Sequence, residues 1–291
     1  MGLEMVREVG IQLGTGINPD ALRFAIFAGG FVCFFVLESL FAKRDRALPR
    51  WRRAGFHIAI AVFNTVLVRT LTMAPFLAFA AFVESKGLGL ARQLPLHGWQ
   101  EILASIVVLD ALNYWWHRLN HRVPFLWRFH KAHHSDTEMD VSTVLRFHPG
   151  ELLISVAVKA VWILLWGPSA AAWFLFEVLV SLSAQFHHSN IDFPDRVEHT
   201  LTQVLVTPRF HAAHHAVDRA FGDQNFSTIL NIWDRIFGSF ARPADGGQTT
   251  LAPGSIGLTE GRDAAFSFGA WLLEPVDGRN GRGVGGAAEQ R

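Results

Sequence analysis

The segment HRLNHRVPFLWRFHKAHH at residues 117–134 holds five of the 14 histidines in this chain of 291 residues. A second dense cluster, HAAHH, occupies residues 211–215. On an α-helix, positions i, i+3 and i+4 share one face, and their Cβ atoms lie about 5 to 6 Å apart. Three clusters have this spacing: His117 and His121; His130, His133 and His134; and His211, His214 and His215. The sequence therefore predicts three helical sets of imidazole side chains.

Outside these clusters the composition is that of a membrane protein. Half of the residues are hydrophobic and 18% are charged, whereas about a quarter are charged in a typical soluble domain. Apolar runs of spanning length lie near residues 21–41 and 56–83, and shorter runs lie near 101–116, 151–167 and 169–187. Gly167-Pro168 predicts a turn that joins the last two runs as a hairpin. We predict an all-α, multi-span integral membrane protein with four to five transmembrane helices.

The composition also excludes several classes of protein. A net charge of +1 gives no strong attraction for nucleic acid, so we expect no nucleic-acid partner. Cys33 is the only cysteine, which excludes a disulfide framework and any thiolate metal site. Residues 1–20 lack the basic region and the cleavage site of a signal peptide, so the first apolar run is predicted to be a retained anchor.

Basic residues predict the orientation of the spans. Residues 42–54 contain six lysines and arginines, and the positive-inside bias places this loop in the cytoplasm. With single crossings and a hairpin at 151–187, all three histidine clusters then reach the same cytoplasmic face. We divide the chain into an N-terminal transmembrane region (1–99), a histidine-bearing domain that ends in a cytoplasmic helical cap (100–242), and a C-terminal extension (243–291). The extension is poor in apolar residues and is predicted to be largely disordered after residue 275.

The number of clustered histidines indicates two metal ions rather than one. Eight imidazoles exceed the ligand number of a single ion, and a zinc hydrolase needs only about three protein ligands. Neutral imidazole binds iron, zinc, copper and nickel alike, so affinity alone does not choose the metal. A pair of redox metals beside lipid suits the activation of O₂ and attack on an unactivated C–H bond.

Two helical stripes accompany the clusters. Asp110 and Asn113 precede His117 by seven and four residues, which places all three on one face with His121. An acid within an apolar span is a functional candidate, here as the acceptor for a ligand N–H, while a structural polar pair is the alternative. The second stripe joins Glu177 to His188, and Glu177 is expected to bond either the site or a neighbouring helix.

Spacing separates the remaining histidines into candidate ligands and structural residues. His187 and His188 point about 100° apart on a helix, and His188 is favoured because it lies on the Glu177 stripe. His148 stands alone, which is typical of a structural histidine. The same interpretation applies to three further histidines without a partner at ligand spacing: His57, His97 and His199.

The chain resembles the fatty acid hydroxylase and sterol desaturase superfamily of membrane di-iron oxygenases. The resemblance covers about residues 100–242 and rests on three histidine boxes in order: His117-x-x-x-His121, His130-x-x-His133-His134 and His211-x-x-His214-His215. Similar surroundings accompany them at RFHPGE (146–151), FHHSN (186–190), VTPRF (206–210) and NIWDRIFG (231–238).

The resemblance implies a site with two iron ions, which zinc can replace on overexpression, and with O₂ as co-substrate. By motif, the eight box histidines and His188 are metal ligands, and His148 and His187 are further candidates. Asp110, Asn113, Glu151 and Asn190 are candidate partners of those ligands. Electrons would come from an NAD(P)H-linked carrier, a separate cytochrome b5-like or ferredoxin-like protein, because no fused donor domain is expected after residue 242.

The predicted function is the hydroxylation of a membrane lipid, such as a fatty acyl chain or a sterol, in lipid metabolism. A lipid desaturase with the same metal site is one alternative, since box spacing does not separate the two outcomes. A histidine-rich membrane metal carrier is the non-enzymatic alternative. We expect a multi-pass protein of the inner membrane in a bacterium or of the endoplasmic reticulum in a eukaryote.

Overall fold

The structure, a computed structural model, describes residues 18–42, 44–241 and 254–277, and its regular elements within these ranges are helical. Five long helices form the body of the fold: α1 (Pro19–Leu40), α2 (Arg50–Ser85), α3 (Trp99–Arg122), α5 (Pro149–Trp166) and α6 (Ala170–His188). The shorter helices are α4 (Pro124–His134), α7 (Asp195–Leu201), α8 (Pro208–His214), α9 (Arg219–Gly222), α10 (Ile232–Ile236) and α11 (Phe268–Leu273). The prediction of an all-α protein is confirmed.

The long helices run between two ends of the molecule. At one end, which carries the histidines, the amide of Asp192 donates to the carbonyl of Phe41 at 2.7 Å and so joins the exits of α6 and α1. At the opposite end, Gly167 adopts a φ of 69° after α5 and lies against the backbone of Leu88, where a Cβ would have no room. The expected hairpin turn at Gly167-Pro168 therefore exists and lies far from the histidines.

Within the part of the chain that the structure describes, four segments are long and apolar enough to cross a membrane: Pro19–Leu40, Arg50–Arg92, Pro149–Trp166 and Ala170–His188. The fifth long helix, α3, is more polar, because it buries Glu101 and Asp110. It nevertheless runs from the opposite end to the histidine end, and a cluster of Leu109, Trp162 and Phe176 packs it against α5 and α6. The prediction of four to five transmembrane helices is confirmed.

The basic loop at 42–54 lies at the histidine end. Arg53 is fully buried and donates through Nη1 and Nη2 to both oxygens of Asp136, each at 2.9 Å, and through Nε to Asp140 at 2.8 Å. Asp136 follows the second histidine box by two residues. The loop and the histidines therefore share one face, as the orientation argument requires. Residues 1–17, Lys43, residues 242–253 and the tail predicted to be disordered at 278–291 lie outside the described residues.

Glu177 bonds neighbouring helices rather than the histidine site. Its two oxygens accept from Arg23 on α1 at 2.7 Å and from Lys159 on α5 at 2.6 Å. Eleven residues separate it from His188 along α6, a helical rise of about 16 Å. Of the two alternatives for this acid, the structure therefore selects the one in which it ties three helices together within the apolar body.

We expect Glu177→Gln to destabilise the protein by about 3 kcal/mol, because it leaves two cations beside a neutral amide. Lys159→Met alone should cost less, since Arg23 still pairs with Glu177, and it should partly restore the stability of Glu177→Gln. Thermal unfolding of the four proteins in detergent would measure these differences. Equal stabilities for Glu177→Gln and the wild type would contradict a structural role for this ion-pair cluster.

Candidate metal centre

The structure gathers nine histidines into two adjacent groups. Within each group, one nitrogen per ring lies within 4.8 Å of that of every other member. The first group contains His117, His121, His130, His134 and His214, and the second contains His133, His188, His211 and His215. These are the eight box histidines together with His188. The residues come from helices α3, α4, α6 and α8, so the site forms only when four separate elements pack at the histidine end.

Hydrogen bonds fix the ring tautomers in the first group. Nδ1 of His117 bonds the carbonyl of Phe226 at 2.8 Å, and Nδ1 of His214 bonds the carbonyl of Gln224 at 2.7 Å. Nδ1 of His130 bonds Glu151 Oε1 at 2.9 Å. Because a carbonyl or carboxylate oxygen only accepts, each Nδ1 carries the proton. The Nε2 lone pairs of these three rings are therefore available to a metal ion.

The second group brings ring nitrogens directly together. Nε2 of His188 lies 3.0 Å from Nε2 of His133 and 3.1 Å from Nε2 of His211. Nδ1 of His188 donates to the carbonyl of Ala184 at 2.7 Å, which makes its Nε2 a lone pair. A single lone pair accepts poorly from two rings at once, whereas three nitrogens converging on one point are the arrangement that a metal ion satisfies.

Burial supports the same interpretation. Nε2 of His130, His134 and His214 is buried without a hydrogen-bond partner, as is Nδ1 of His133. Such unsatisfied nitrogens are costly in a folded protein, and a water molecule or a metal ion would satisfy them. Burial, reinforced by the neighbouring histidines, lowers the pKa of His214 to about 3, and burial lowers the pKa of His133 and His134 well below its usual range. A lowered pKa favours the neutral ring in these three histidines, which is the form that binds metal.

Aromatic side chains form the walls of the site. The ring of Phe147 stacks on His133 with centroids 4.5 Å apart and planes 6° apart. Phe226 contacts His117 and His121 at 5.8 and 5.2 Å between centroids, and Trp127 lies 5.1 Å from His121. These rings place apolar surface beside the imidazoles of both groups.

The four candidate partner residues have different positions. Glu151 contacts a box histidine, as described above. Asp110 instead accepts from the amides of Ile229 and Leu230 and from the indole N–H of Trp233. The expectation that it accepts directly from a ligand is wrong, because seven residues on α3 place it about 10 Å deeper than His117.

Asn113 and Asn190 are also directed away from the ring nitrogens. Asn113 donates to the hydroxyl of Thr228 at 2.8 Å. Asn190 follows the end of α6, where the chain leaves the helix, and its side chain bonds the backbone N–H and carbonyl of Arg44. It attaches the basic loop to the histidine end, so its expected contact with a ligand is replaced by a structural one.

His148 and His187 lie outside both groups. His148 caps α5, because its Nδ1 accepts from the amide of Gly150 while Nε2 bonds the carbonyl of Leu272. Both its nitrogens are engaged, which favours the structural interpretation made from spacing. His187 bonds the carbonyl of Thr228 through Nδ1 at 3.2 Å, and its ring lies 4.0 Å from that of His211. His57 is buried and its Nδ1 bonds the Ser142 hydroxyl at 2.8 Å, as expected of a structural histidine.

One element of the site consists of backbone carbonyls, and the pattern of side chains in the sequence does not predict it. The carbonyls of Gln224, Phe226 and Thr228 each accept from a different histidine. We call residues 224–230 the peptide strap. Backbone carbonyls are present at every residue, so the sequence could not reveal which of them face the ligands.

Comparison with known proteins agrees with this geometry. Residues 102–239 match the model of the fatty acid hydroxylase family. The matched range contains every residue of both histidine groups and of the peptide strap. The family resemblance stated on the three histidine boxes is confirmed.

Individual relatives are named hydroxylases, monooxygenases and oxidases. The chain is 30% identical to the ornithine lipid hydroxylase OlsE of Rhizobium tropici over 182 residues, 62% of this chain and 52% of that protein. It is 34% identical to human alkylglycerol monooxygenase over 138 residues, 47% of this chain and 30% of that protein. Mouse lathosterol oxidase is 27% identical over 154 residues, 51% of this chain and 48% of that protein. The chain thus spans about half of these relatives or less, and no solved structure matches it significantly.

We expect Glu151→Ala to weaken metal binding by the first group by about 10- to 100-fold, because it removes the oxygen that orients His130. Glu151→Gln keeps an oxygen acceptor and should bind metal more tightly than Glu151→Ala. Titration of the metal-free protein with Co²⁺ would measure both, with Glu84→Ala at an exposed position as the control. Identical affinities for Glu151→Ala and the control would contradict the role assigned to this hydrogen bond.

Proposed function

We propose that the protein is an O₂-dependent di-iron oxygenase that hydroxylates a C–H bond of a membrane lipid. The observation that carries the proposal is the pair of adjacent, largely buried groups of imidazoles at one end of helices long and apolar enough to cross a membrane. Two iron ions, one bound by each group, would supply the reduction of O₂ and the oxidation of the C–H bond. One oxygen atom enters the lipid and the other leaves as water, with two electrons and two protons consumed.

The chain's own residues account for ligand binding and for the exclusion of water. The two groups offer five and four nitrogens, and the imidazole set suits iron among other metals. Phe147, Phe226 and Trp127 keep the surroundings apolar, which limits side reactions with water. His117 is the one member of the two groups that is not fully buried. We therefore infer that the lipid approaches the metal pair past His117.

The proposal specifies a class of lipid substrate and no single compound. The names of the relatives include ornithine lipid, alkylglycerol and sterol substrates, and the proposal extends to a membrane lipid whose reacting carbon reaches the histidine end. Contacts between the basic loop and Asp136 support the placement of this end on the cytoplasmic face. A separate electron-carrier protein would deliver the electrons there.

Two alternatives remain part of the test. A desaturase would use the same ligands and remove two hydrogens, so only the product distinguishes it. A metal carrier would need ligands along a path through the spans, whereas the grouped histidines of the described residues lie together at one end. The names of the relatives also favour an oxidoreductase over a carrier.

The test combines metal analysis with lipid analysis. We expect anaerobically purified protein to contain two iron ions per chain, and cells that express it to accumulate a lipid that has gained one oxygen atom derived from O₂. His133→Ala and His214→Ala, one from each group, should each lower the metal content and abolish the product. His199→Ala, at an exposed histidine outside both groups, is the matched control.

The outcomes separate the candidates. A lipid that has lost two hydrogens would indicate a desaturase. Metal transport into vesicles without consumption of O₂ would indicate a carrier. Full metal content in both His133→Ala and His214→Ala would contradict the two-group site itself. Zinc in aerobically purified protein would leave the proposal standing, because an imidazole site accepts the metal that is available.

A further inference from the structure

The peptide strap connects buried carboxylates to histidines. On one side, its carbonyls accept from His117, His187 and His214. On the other side, its amides donate to two aspartates. The amides of Phe226 and Ser227 donate to Asp234 at 2.8 and 2.9 Å. Those of Ile229 and Leu230 donate to Asp110 at 3.3 and 3.1 Å.

Two of these contacts share a single peptide unit. The carbonyl of Phe226 and the amide of Ser227 belong to the same peptide group. His117 therefore donates to one side of this group, and Asp234 accepts from its other side. The carbonyl of Thr228 and the amide of Ile229 form the same arrangement between His187 and Asp110. Each histidine is thus linked to a carboxylate through one polarisable peptide.

The third histidine provides an internal comparison. His214 bonds the carbonyl of Gln224, and the amide of the same peptide group, at Asn225, donates to the backbone carbonyl of Ser239 at 2.8 Å. We call such a chain of hydrogen bonds, from a histidine through one peptide group to an acceptor, a relay. The relay from His214 ends on a neutral oxygen, whereas the relay from His117 ends on a carboxylate. Both histidines belong to the first group, so the structure places a charged and an uncharged relay beside the same candidate metal position.

The buried position of Asp234 strengthens the electrostatic effect of its carboxylate on the 226–227 peptide. Its side chain is fully buried, and the Ser239 hydroxyl completes its hydrogen bonds at 2.7 Å. Hydrogen bonds in series polarise one another in a medium of low dielectric constant. A carboxylate that accepts from the 226–227 peptide therefore increases the negative charge on the Phe226 carbonyl. That carbonyl then holds the Nδ1 proton of His117 more strongly, and Nε2 becomes a better donor to metal.

We propose that Asp234 is a positioning residue for His117, and that it fixes the ring tautomer and strengthens the metal bond of Nε2 through the 226–227 peptide. The proposal rests on the metal-binding function proposed above. Its effect on the ring, however, exists without metal and can be measured separately. Asp110 has the equivalent relation to His187, which explains why an acid within α3 faces the peptide strap and not a ring.

The first experiment observes the rings in the metal-free protein. In histidine-labelled protein, NMR would record the Nδ1–H resonances of His117 and His214. We expect Asp234→Asn to shift the His117 resonance toward that of a weaker hydrogen bond and to leave the His214 resonance in place. Ser239→Ala removes a donor to the carboxylate and should shift the His117 resonance in the opposite direction. This second variant keeps the test available if Asp234→Asn fails to fold.

The second experiment measures metal binding in a double-mutant cycle. Stepwise titration with Co²⁺ should show about tenfold weaker binding at one step in Asp234→Asn, the lower range for loss of an outer partner of a ligand. In a His117→Ala background, Asp234→Asn should have no further effect on that step. Asp110→Asn is the matched control, because it removes a buried carboxylate from the same strap but lies on the relay to His187.

Each outcome decides between the proposals. Equal shifts of the His117 and His214 resonances, or an effect of Asp234→Asn that persists without His117, would overturn the relay and leave Asp234 as an anchor of the strap. Absence of Co²⁺ binding by the wild type, together with a His117 resonance that shifts as expected, would overturn the proposed function and support the relay.

Discussion

The fold at the histidine end is constrained by buried imidazole nitrogens that the protein itself does not satisfy. Each buried polar atom without a partner costs free energy, and four such atoms lie on His130, His133, His134 and His214. Helices α4 and α8 nevertheless carry these atoms into the two histidine groups, which residues of α3 and α6 complete. Under the proposed function, a bound ion would satisfy the nitrogens that the helices leave without a partner, and metal binding would then be linked to the folding of this end.

Hydrogen bonds to the outer nitrogens then determine which atom of each ring faces inward. A carboxylate orients His130, and backbone carbonyls orient His117, His188 and His214. The contacts to His117, His130 and His214 come from α5 and the peptide strap, so these three rings are held by elements other than those that carry them, whereas α6 both carries and holds His188. Hydrogen bonds of this kind fix the tautomer and the orientation of the rings.

Spacing in the sequence predicted much of this site and failed at two particular points. The i, i+3, i+4 pattern correctly indicated that each box presents its rings on one side of a helix. It did not reveal that the boxes are divided between groups: His130 and His134 face the first group while His133 faces the second, and in the third box His214 faces the first group. The division depends on how the helices cross, which local periodicity does not contain. The assignment of Asp110 to a ligand ring failed for a related reason. A helical stripe gives the direction of a side chain but not its depth along the helix axis. The partner of Asp110 is a backbone segment more than a hundred residues later in the chain.

Contacts that hydropathy does not describe also place the basic loop and the histidine groups on the same side of the membrane. The positive-inside bias alone orients the loop at 42–54, and the histidines follow only if every intervening span crosses once. Arg53 removes that condition, because its buried bonds to Asp136 hold the loop directly against the second box. The bonds of Asn190 to Arg44 attach the same loop to the end of α6. The side of the membrane that contains the basic loop must therefore also contain the histidine groups, whatever the number of crossings between them.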